Sequence, residues 1–252
     1  KYMKYFLTQR ILFATLAIPM FFLIGFTGFI IMYGLSMLPA FIRIYFGFKE
    51  SRINLTLIKE RSSFIVNSYL LYAARTSYAY VDRLIIVPLF GYTILGNYEL
   101  AMQGIILGNV FAVFIYNYLL PKDAREESTY RLKIYAIIGS TLISLLVIFV
   151  SPHILPILFP QFQDAVDLIP IMGLSIVPHV FTMLYISKFL SSENSRLIVI
   201  SSVIHFIILV SAILILTHYY STMGLVIAFV LGEIGESLFL MFMHKKVFKS
   251  FI

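Results

Sequence analysis

The chain has 252 residues, of which 60% are hydrophobic and 12% are charged. Soluble domains are about 45–50% apolar and about 25% charged, so this composition excludes an ordinary water-soluble domain. The net charge of +7 is not gathered on one basic face with interleaved aromatic side chains, so we expect no nucleic-acid partner, and the absence of cysteine excludes disulfides and thiolate metal sites.

Long apolar stretches predict about eight membrane-spanning helices, because a helix needs about 20 predominantly apolar residues to cross a bilayer. The first two lie within residues 5–48, where Gly25, Thr27 and Gly28 supply the turn between them. The others are predicted at about residues 63–90, 98–120, 132–150, 168–190, 197–217 and 223–243. An uncharged turn at residues 91–97 separates the third span from the fourth. The predicted fold class is therefore all-α, a polytopic membrane protein.

The basic residues are segregated along the chain. All but two of the nineteen Lys and Arg residues lie at the termini or in every second connection between spans, and the alternate connections carry none. Lys and Arg near helix ends favour the cytoplasmic side of a membrane. We therefore expect a multi-pass protein of the cytoplasmic (plasma) membrane. Both ends of this segment are expected in the cytoplasm, together with the connection at residues 49–61 and the tail at residues 247–252.

Two charged clusters lie inside predicted spans, where a charge is costly and marks a candidate functional group. The first, on the third span, contains Arg75, Asp82 and Arg83. Asp82 lies about 20° from Arg75 around a helix. Tyr72 and Tyr78 fall in the same broad stripe, so this face is predicted to look into a polar cavity. The functional interpretation is an anion-binding cavity with Arg75 as its cation, and the structural one is a salt bridge from Asp82 to an Arg.

The second cluster is Glu233 and Glu236 on the eighth span, in the sequence GEIGES. The two carboxyl groups are three residues apart and therefore share one helix face. The flanking Gly232 and Gly235 permit close approach of another helix. One interpretation is a proton or cation site for ion coupling. The other is a polar contact between helices, with an Arg as the partner.

The remaining polar residues of the spans carry less information. His179 and His205 lie within spans and are predicted to be hydrogen-bonded packing residues. The sequence contains no HExxH motif or carboxylate-rich ligand spacing for a metal, and no GxxxxGK[ST] motif for ATP hydrolysis. We therefore expect no metal, no cofactor and no enzymatic activity.

Residues 81–101, VDRLIIVPLFGYTILGNYELA, resemble a segment of the polysaccharide flippases of the multidrug/oligosaccharidyl-lipid/polysaccharide exporter superfamily. The matching positions are Asp82, Arg83, Gly96, Tyr98 and Ala101. Two later stretches resemble the family in the same order: ILPILFPQFQDAVDLIPIM, and the stretch that carries Tyr220, Gly224 and Ala228. The resemblance covers about residues 60–246, and Pro160 stands where the family commonly has Gly.

The resemblance implies a flippase for lipid-linked oligosaccharide. Residues 62–246 would form a six-helix C-terminal lobe and residues 1–48 the last two helices of a preceding lobe, whose other four helices would lie upstream or in a separate chain. The substrate would be a polyprenyl-(pyro)phosphate-linked oligosaccharide, moved by alternating access through a cavity between the lobes. Arg75 and Arg83 would meet its phosphate, and Tyr72 and Tyr78 its sugars. The expected partners are membrane lipid, this glycolipid and the missing helices of the first lobe.

Three other classes of protein are weighed against the flippase. A drug or cation antiporter of the same superfamily predicts a cavity dominated by acidic residues, whereas Arg75 and Arg83 weakly favour an anionic substrate. A membrane enzyme of polysaccharide synthesis would need a sizeable outer loop or a His/Asp group at an interface, and the sequence offers neither. A third span without charged residues would favour a non-transporting scaffold, so the presence of Arg75 argues against this class.

Overall fold

The computed structural model describes residues 2–50 and 62–248, apart from the side chains of residues 63–68 and 70–79 and of some residues towards the two ends of the first range. Nearly all described residues lie in helices and none of them lies in a strand, which confirms the all-α prediction. The helices are α1 (Tyr2–Ile24), α2 (Phe26–Ser36), α3 (Leu38–Glu50), α4 (Ser62–Asp123), α5 (Tyr130–Leu158), α6 (Gln163–Gly173), α7 (Ile176–Ser191), α8 (Ser195–Tyr220) and α9 (Thr222–Phe248). The chain divides into two compact units, Lys1–Val66 and Asn67–Ile252.

The first unit contains α1, α2 and α3. Helix α1 ends at Ile24 and is followed by Gly25, whose φ of 70° lies in a region that residues with a Cβ rarely adopt. Beyond this break α2 packs against α1, and the ring of Phe13 lies 5.1 Å from that of Phe29 and 5.5 Å from that of Tyr33. The turn predicted around Gly25 is therefore confirmed.

The second span predicted within residues 5–48 is not a single helix. Met37 separates α2, of 11 residues, from α3, of 13 residues. Each is shorter than the about 20 residues that a membrane crossing requires. Hydropathy does not locate this division, because the residues on both sides of Met37 belong to one continuous apolar stretch.

The first helix of the second unit, α4, consists of two helical halves that are joined at Gly91. Helix α4 is continuous except at this residue, whose φ of 79° and ψ of 179° are not helical. Tyr98 contacts Asp82 and Glu99 contacts Arg83, each pair 16 residues apart, whereas such residues would be about 24 Å apart along a straight helix. The chain therefore turns back at Gly91. The turn predicted at residues 91–97 is confined to this glycine, and residues 92–97 are helical.

The second unit contains long apolar helices. In the described part of the chain, four stretches are long and apolar enough to cross a membrane: Tyr80–Asp123, Tyr130–Leu158, Ser195–Tyr220 and Thr222–Phe248. Helices α6 and α7 make a fifth if they form one span, bent by 45°. The sixth predicted span, at residues 168–190, is thus broken between Gly173 and Ile176. The several apolar helices are compatible with a multi-pass membrane protein, and the count of eight stays a prediction.

The side chains of the second unit form an apolar interior within an apolar exterior. The interior packs α4 against α6, α7, α8 and α9 through residues that are at most 1% exposed, among them Ile86, Tyr98, Ile105, Ile176, Ile213 and Leu225. Large apolar side chains also cover the outside, for example Leu107, Phe114, Leu142, Phe149 and Leu214. An exterior of this kind suits lipid rather than water. Buried polar groups are therefore the exceptions that carry information about function.

Candidate functional site

Asp82 and Tyr98 form the first buried polar contact, across the turn at Gly91. The Tyr98 hydroxyl donates a hydrogen bond of 2.6 Å to Oδ2 of Asp82, and the two residues are 1% and 3% exposed. The backbone N–H of Arg83 donates to the other carboxylate oxygen of Asp82 at 2.8 Å. In the described part of the chain, Asp82 therefore meets a tyrosine hydroxyl where the structural interpretation expected an Arg side chain.

Arg83 makes a second contact across the same turn. Its guanidinium forms an ion pair with the carboxylate of Glu99 through Nε and through Nη2, which lies 3.1 Å from Oε2. The guanidinium carbon also lies 4.7 Å from the ring centre of Tyr80. Asp82 and Arg83 thus tie the two halves of α4 together, and any ligand of Arg83 has to compete with Glu99.

Arg75, Tyr72 and Tyr78 lie on α4, but their side chains are outside the described residues. The predicted polar stripe along this helix is therefore described only at Asp82 and Arg83. The roles proposed for the other three residues stay predictions.

The second buried polar group joins three helices in the middle of the second unit. Glu233 and Glu236 of α9 are 8% and 2% exposed. Nδ1 of His179, from α7, lies 3.1 Å from Oε2 of Glu233. Nδ1 of His205, from α8, lies 3.2 Å from Oε2 of Glu236, whose other oxygen accepts a hydrogen bond of 2.9 Å from the hydroxyl of Ser201. We call the two pairs, His179–Glu233 and His205–Glu236, the His–Glu site.

The His–Glu site lies near the middle of the apolar helical segments that contribute to it. Both glutamates are near the middle of α9, and His205 is near the middle of α8. His179 lies close to the start of α7, but α6 and α7 together form one bent apolar segment, and the histidine is near the middle of that segment. The break at the end of α6 therefore lies about one helical turn before His179.

Two glycines of the GEIGES sequence allow α8 to pack closely against α9 at the site. A Cβ added to Gly232 would lie 3.3 Å from Cε1 and Nε2 of His205, and a Cβ on Gly235 would overlap Cδ1 of Ile208. The imidazole of His205 thus lies directly against the backbone of α9. The predicted role of these glycines, close approach of another helix, is confirmed.

A third polar group is buried where α4 ends. Asp123 is 4% exposed and accepts hydrogen bonds from the hydroxyls of Thr129, at 2.9 Å, and Ser187, at 2.6 Å. Nζ of Lys133 lies 3.8 Å from Oδ1 of Asp123 and is also buried. These contacts connect the ends of α4 and α7 to the start of α5. The sequence analysis assigned no role to Asp123 or Lys133.

The histidine partners of Glu233 and Glu236 were missed by the sequence analysis. It placed His179 and His205 inside spans as hydrogen-bonded packing residues, without naming a partner for either. A signal was present, since two histidines and two glutamates lie in stretches that are otherwise strongly apolar. A polar side chain buried in such surroundings requires a hydrogen-bonding partner. In the described part of the chain, no three His, Asp or Glu side chains are grouped so that they could hold a metal ion.

No protein-family model, no curated protein and no solved structure compared with this chain matches it. The similarity to polysaccharide flippases therefore depends on the residues quoted above.

Proposed function

We propose that this protein is a membrane transporter that moves a polyprenyl-(pyro)phosphate-linked oligosaccharide across the cytoplasmic membrane by alternating access. The observation that carries the proposal is the burial of Glu233 and Glu236, each beside a histidine, within helices that are apolar enough to cross a membrane. Ionisable groups at membrane depth are costly and mark the pathways of substrates, ions and protons. The resemblance of residues 60–246 to the flippases supplies the substrate class.

A glycolipid needs two different surfaces from its transporter. Its sugar-phosphate head group cannot enter hydrocarbon without losing hydrogen bonds to water, so the protein has to provide polar groups within the membrane. Its polyprenyl tail stays in lipid, and the apolar exterior of α5 and α8 suits such a tail. Rocking of two lobes about a central cavity would then expose the head group to each side in turn.

The phosphate contact is assigned to Arg75. A guanidinium presents several donors in a planar fork that matches phosphate oxygens, and Arg75 shares the helical stripe of Tyr72 and Tyr78, which would contact the sugars. Arg83 is less available, because its guanidinium pairs with Glu99. A phosphate could bind Arg83 only by replacing that carboxylate, so Arg83 is the secondary candidate for the phosphate contact.

A cation antiporter of the same superfamily is the second candidate function. The observation in its favour is that Glu233 and Glu236 lie three residues apart on one face of α9, which is the arrangement that attracts a positive charge. An antiporter would bind its organic cation at these carboxylates. A flippase would use them for ion coupling and bind the phosphate elsewhere.

The two functions can be separated in proteoliposomes that contain the full-length protein. One assay follows translocation of a fluorescent polyprenyl-phosphate glycolipid, and the other follows efflux of a cationic dye. We expect glycolipid translocation and no dye efflux. Arg75→Ala should slow translocation about tenfold or more, because a charged hydrogen bond contributes about 1.5–3 kcal/mol. Arg75→Lys should restore part of the rate.

Arg125→Ala is the matched control, because the side chain of Arg125 is 76% exposed in the connection after α4. It should leave translocation unchanged. Dye efflux without glycolipid translocation would replace the flippase by the antiporter. Normal translocation by Arg75→Ala at normal protein levels would remove Arg75 from the substrate site.

A further inference from the structure

We propose that a groove between α7 and α9 binds an acyl chain of an anionic phospholipid, with the phosphate of that lipid beside Lys188 and Lys245. This is a selective site for one kind of lipid, whereas the apolar exterior described above requires only lipid in general. The site does not depend on which substrate the protein transports, so it goes beyond the function proposed above.

The groove is an apolar depression on the surface of the second unit, with a volume of about 220 Å³. Pockets that enclose compact ligands have volumes of about 300–1,000 Å³, so this smaller groove suits a narrow chain. Its edge at Leu238 is 52% exposed, and the groove is therefore accessible from outside the unit. Six of its lining residues are Pro178, Phe181 and Tyr185 from α7, and Ile234, Leu238 and Met241 from α9. We call it the α7–α9 groove.

The α7–α9 groove leads to a lysine on each of its two helices. Residues three or four apart lie on one face of a helix. On α7, Lys188 follows Tyr185 by three residues, and on α9, Lys245 follows Met241 by four. Both lysines therefore continue the helix faces that line the groove, about one turn beyond its end.

The two lysines lie at the same end of the unit, because α7 and α9 run in the same direction. The ring centre of Tyr185 lies 5.2 Å from that of His244, and Nζ of Lys188 lies 5.6 Å from the ring centre of Phe248. Both lysines are in the last turns of their helices. When these helices cross a membrane, their last turns lie near the lipid head groups and the groove lies at the depth of the acyl chains.

Neither Lys188 nor Lys245 forms an ion pair with a residue that the structure describes. Lys188 is half-buried and Lys245 is exposed. Other basic residues of the connection after α4 and the start of α5 do have a carboxylate partner, in the pairs Lys122–Glu127, Arg125–Glu127 and Lys133–Asp123. Lysines at the level of the head groups attract anionic lipids, and these two have no carboxylate in the described part of the chain to compete with a phosphate.

Tyr185 offers the α7–α9 groove a hydroxyl group. The residue is 4% exposed, and its hydroxyl makes no hydrogen bond with the described residues. A buried hydroxyl without a partner is costly and calls for an explanation. The other hydroxyl of the groove, that of Ser237, already donates to the carbonyl oxygen of Ile234 at 3.1 Å. The Tyr185 hydroxyl is therefore the donor that remains for a bound molecule.

The order of these groups along the groove matches the order of groups in a phospholipid. Apolar side chains come first, then the Tyr185 hydroxyl, and then the two lysines about one turn further on. A phospholipid presents an acyl chain, then an ester carbonyl that accepts a hydrogen bond, and then a phosphate. Two lysines would repel the cationic group of a zwitterionic head, so the lipid they favour has a net negative charge.

Two other occupants fit the groove less well. The sugars of a glycolipid head group would need several donors and acceptors, and the described lining offers only the Tyr185 hydroxyl. A helix of another protein would fill the groove with side chains, but it would need carboxylates at its end to meet Lys188 and Lys245. A membrane phospholipid supplies the chain and the negative charge in one molecule.

The test measures binding of phosphatidylglycerol and of phosphatidylcholine with the same acyl chains to the purified full-length protein, by native mass spectrometry from detergent. Phosphatidylglycerol, which is anionic, should bind about fivefold more tightly or better. Lys188→Gln and Lys245→Gln should each weaken its binding about fivefold, the effect of one lysine near anionic lipid. Binding of phosphatidylcholine should change little in both variants.

Lys246→Gln is the matched control. Lys246 is exposed and lies in the same last turn, but it is about 100° around α9 from Lys245 and does not continue the face of the groove. This variant should bind phosphatidylglycerol as the unmodified protein does. Lysine variants at 188 and 245 that bind like Lys246→Gln, or equal binding of the two lipids by the unmodified protein, would overturn the proposal.

Tyr185→Phe separates a lipid contact from a structural role. It should weaken binding of both lipids about fivefold, through the loss of one hydrogen bond. The unfolding temperature of the lipid-free protein should not fall, because the hydroxyl has no partner in the described chain. A lower unfolding temperature with unchanged lipid binding would assign the hydroxyl to the protein and refute its role here. The two lysine variants decide the outcome if Tyr185→Phe does not fold.

The position of the lipid is tested with phosphatidylglycerol that carries a photoreactive diazirine near the end of one acyl chain. Irradiation should label α7 and α9 at residues of the groove, and an excess of unlabelled phosphatidylglycerol should suppress the labelling. Labelling confined to other helices would overturn the proposal. Displacement of the probe by polyprenyl phosphate at lower concentrations than by phosphatidylglycerol would also overturn it, because the groove would then belong to the transported lipid.

Discussion

The Tyr98 hydroxyl lies 2.6 Å from Oδ2 of Asp82, although the two residues are 16 apart in the sequence. Both are buried, and the turn at Gly91 lies between them. This contact, together with the ion pair of Arg83 and Glu99, holds the two halves of α4 side by side.

Tyr98→Phe should destabilise the second unit by about 1–3 kcal/mol, because it leaves a buried carboxylate without its hydroxyl donor. The measurement is the unfolding temperature of the purified protein in mild detergent. Tyr92→Phe is the control, since the side chain of Tyr92 is 79% exposed and removal of its hydroxyl should change the unfolding temperature little. Equal unfolding temperatures for the two variants would show that the contact does not stabilise the turn.

Gly91→Ala should also weaken this turn, for a backbone reason. The residue has φ 79° and ψ 179°, a region adopted almost only by glycine and costing other residues about 1–3 kcal/mol. Gly104→Ala is a suitable comparison, because its added Cβ would meet Ile169 at 3.4 Å, an ordinary van der Waals distance. The unfolding temperature should fall more for Gly91→Ala than for Gly104→Ala, and the opposite order would contradict the geometry of the turn.

Asp123→Ala should be strongly destabilising, by about 3–5 kcal/mol, because it leaves Lys133 buried without its carboxylate partner. Asp123→Ala combined with Lys133→Met should recover part of this loss, since methionine carries no charge. Glu127→Ala serves as the control, because this carboxylate is 45% exposed and its ion pairs are at the surface. A double variant no more stable than Asp123→Ala would show that the unpaired lysine is not the cause.

Gly224→Ala should impair folding of the connection between α8 and α9. A Cβ at Gly224 would lie 2.5 Å from the carbonyl carbon of Leu216 and 2.6 Å from the backbone nitrogen of Thr217. Backbone atoms cannot move aside as a flexible side chain does, so we expect a loss of about 3 kcal/mol or more. Gly34→Ala, where the added Cβ meets nothing within 4 Å, should be neutral or slightly stabilising. Comparable amounts of folded protein from both variants would argue against the close packing at Gly224.

Several elements of the fold were accessible from sequence because their signals are local. The apolar stretches predicted α5, α8 and α9 near their observed positions, and Gly25 and Gly91 marked real breaks. The division at Met37 and the break between α6 and α7 were missed, since hydropathy is averaged over many residues and is nearly uniform across both places. The orientation of the helices relative to a membrane stays a prediction from the distribution of Lys and Arg.

Only half of the candidate site could be predicted from the sequence. Glu233 and Glu236 stood out because acidic residues are rare in apolar spans, and their shared face followed from helical geometry. Their histidine partners come from α7 and α8, 54 residues before Glu233 in the case of His179. Composition indicated that these buried polar groups require partners, but neither spacing nor composition shows which residues so far apart in the chain contact each other.

The sequence by itself determined that the chain is helical and suited to a membrane, because the hydropathy and charge of a segment are properties of its own residues. Tertiary structure alone decided which buried polar groups meet: His179 with Glu233, His205 with Glu236, and Tyr98 with Asp82. The physical reason is that each such contact depends on the rotation and separation of two packed helices. A rotation of one residue, about 100°, would turn either partner away.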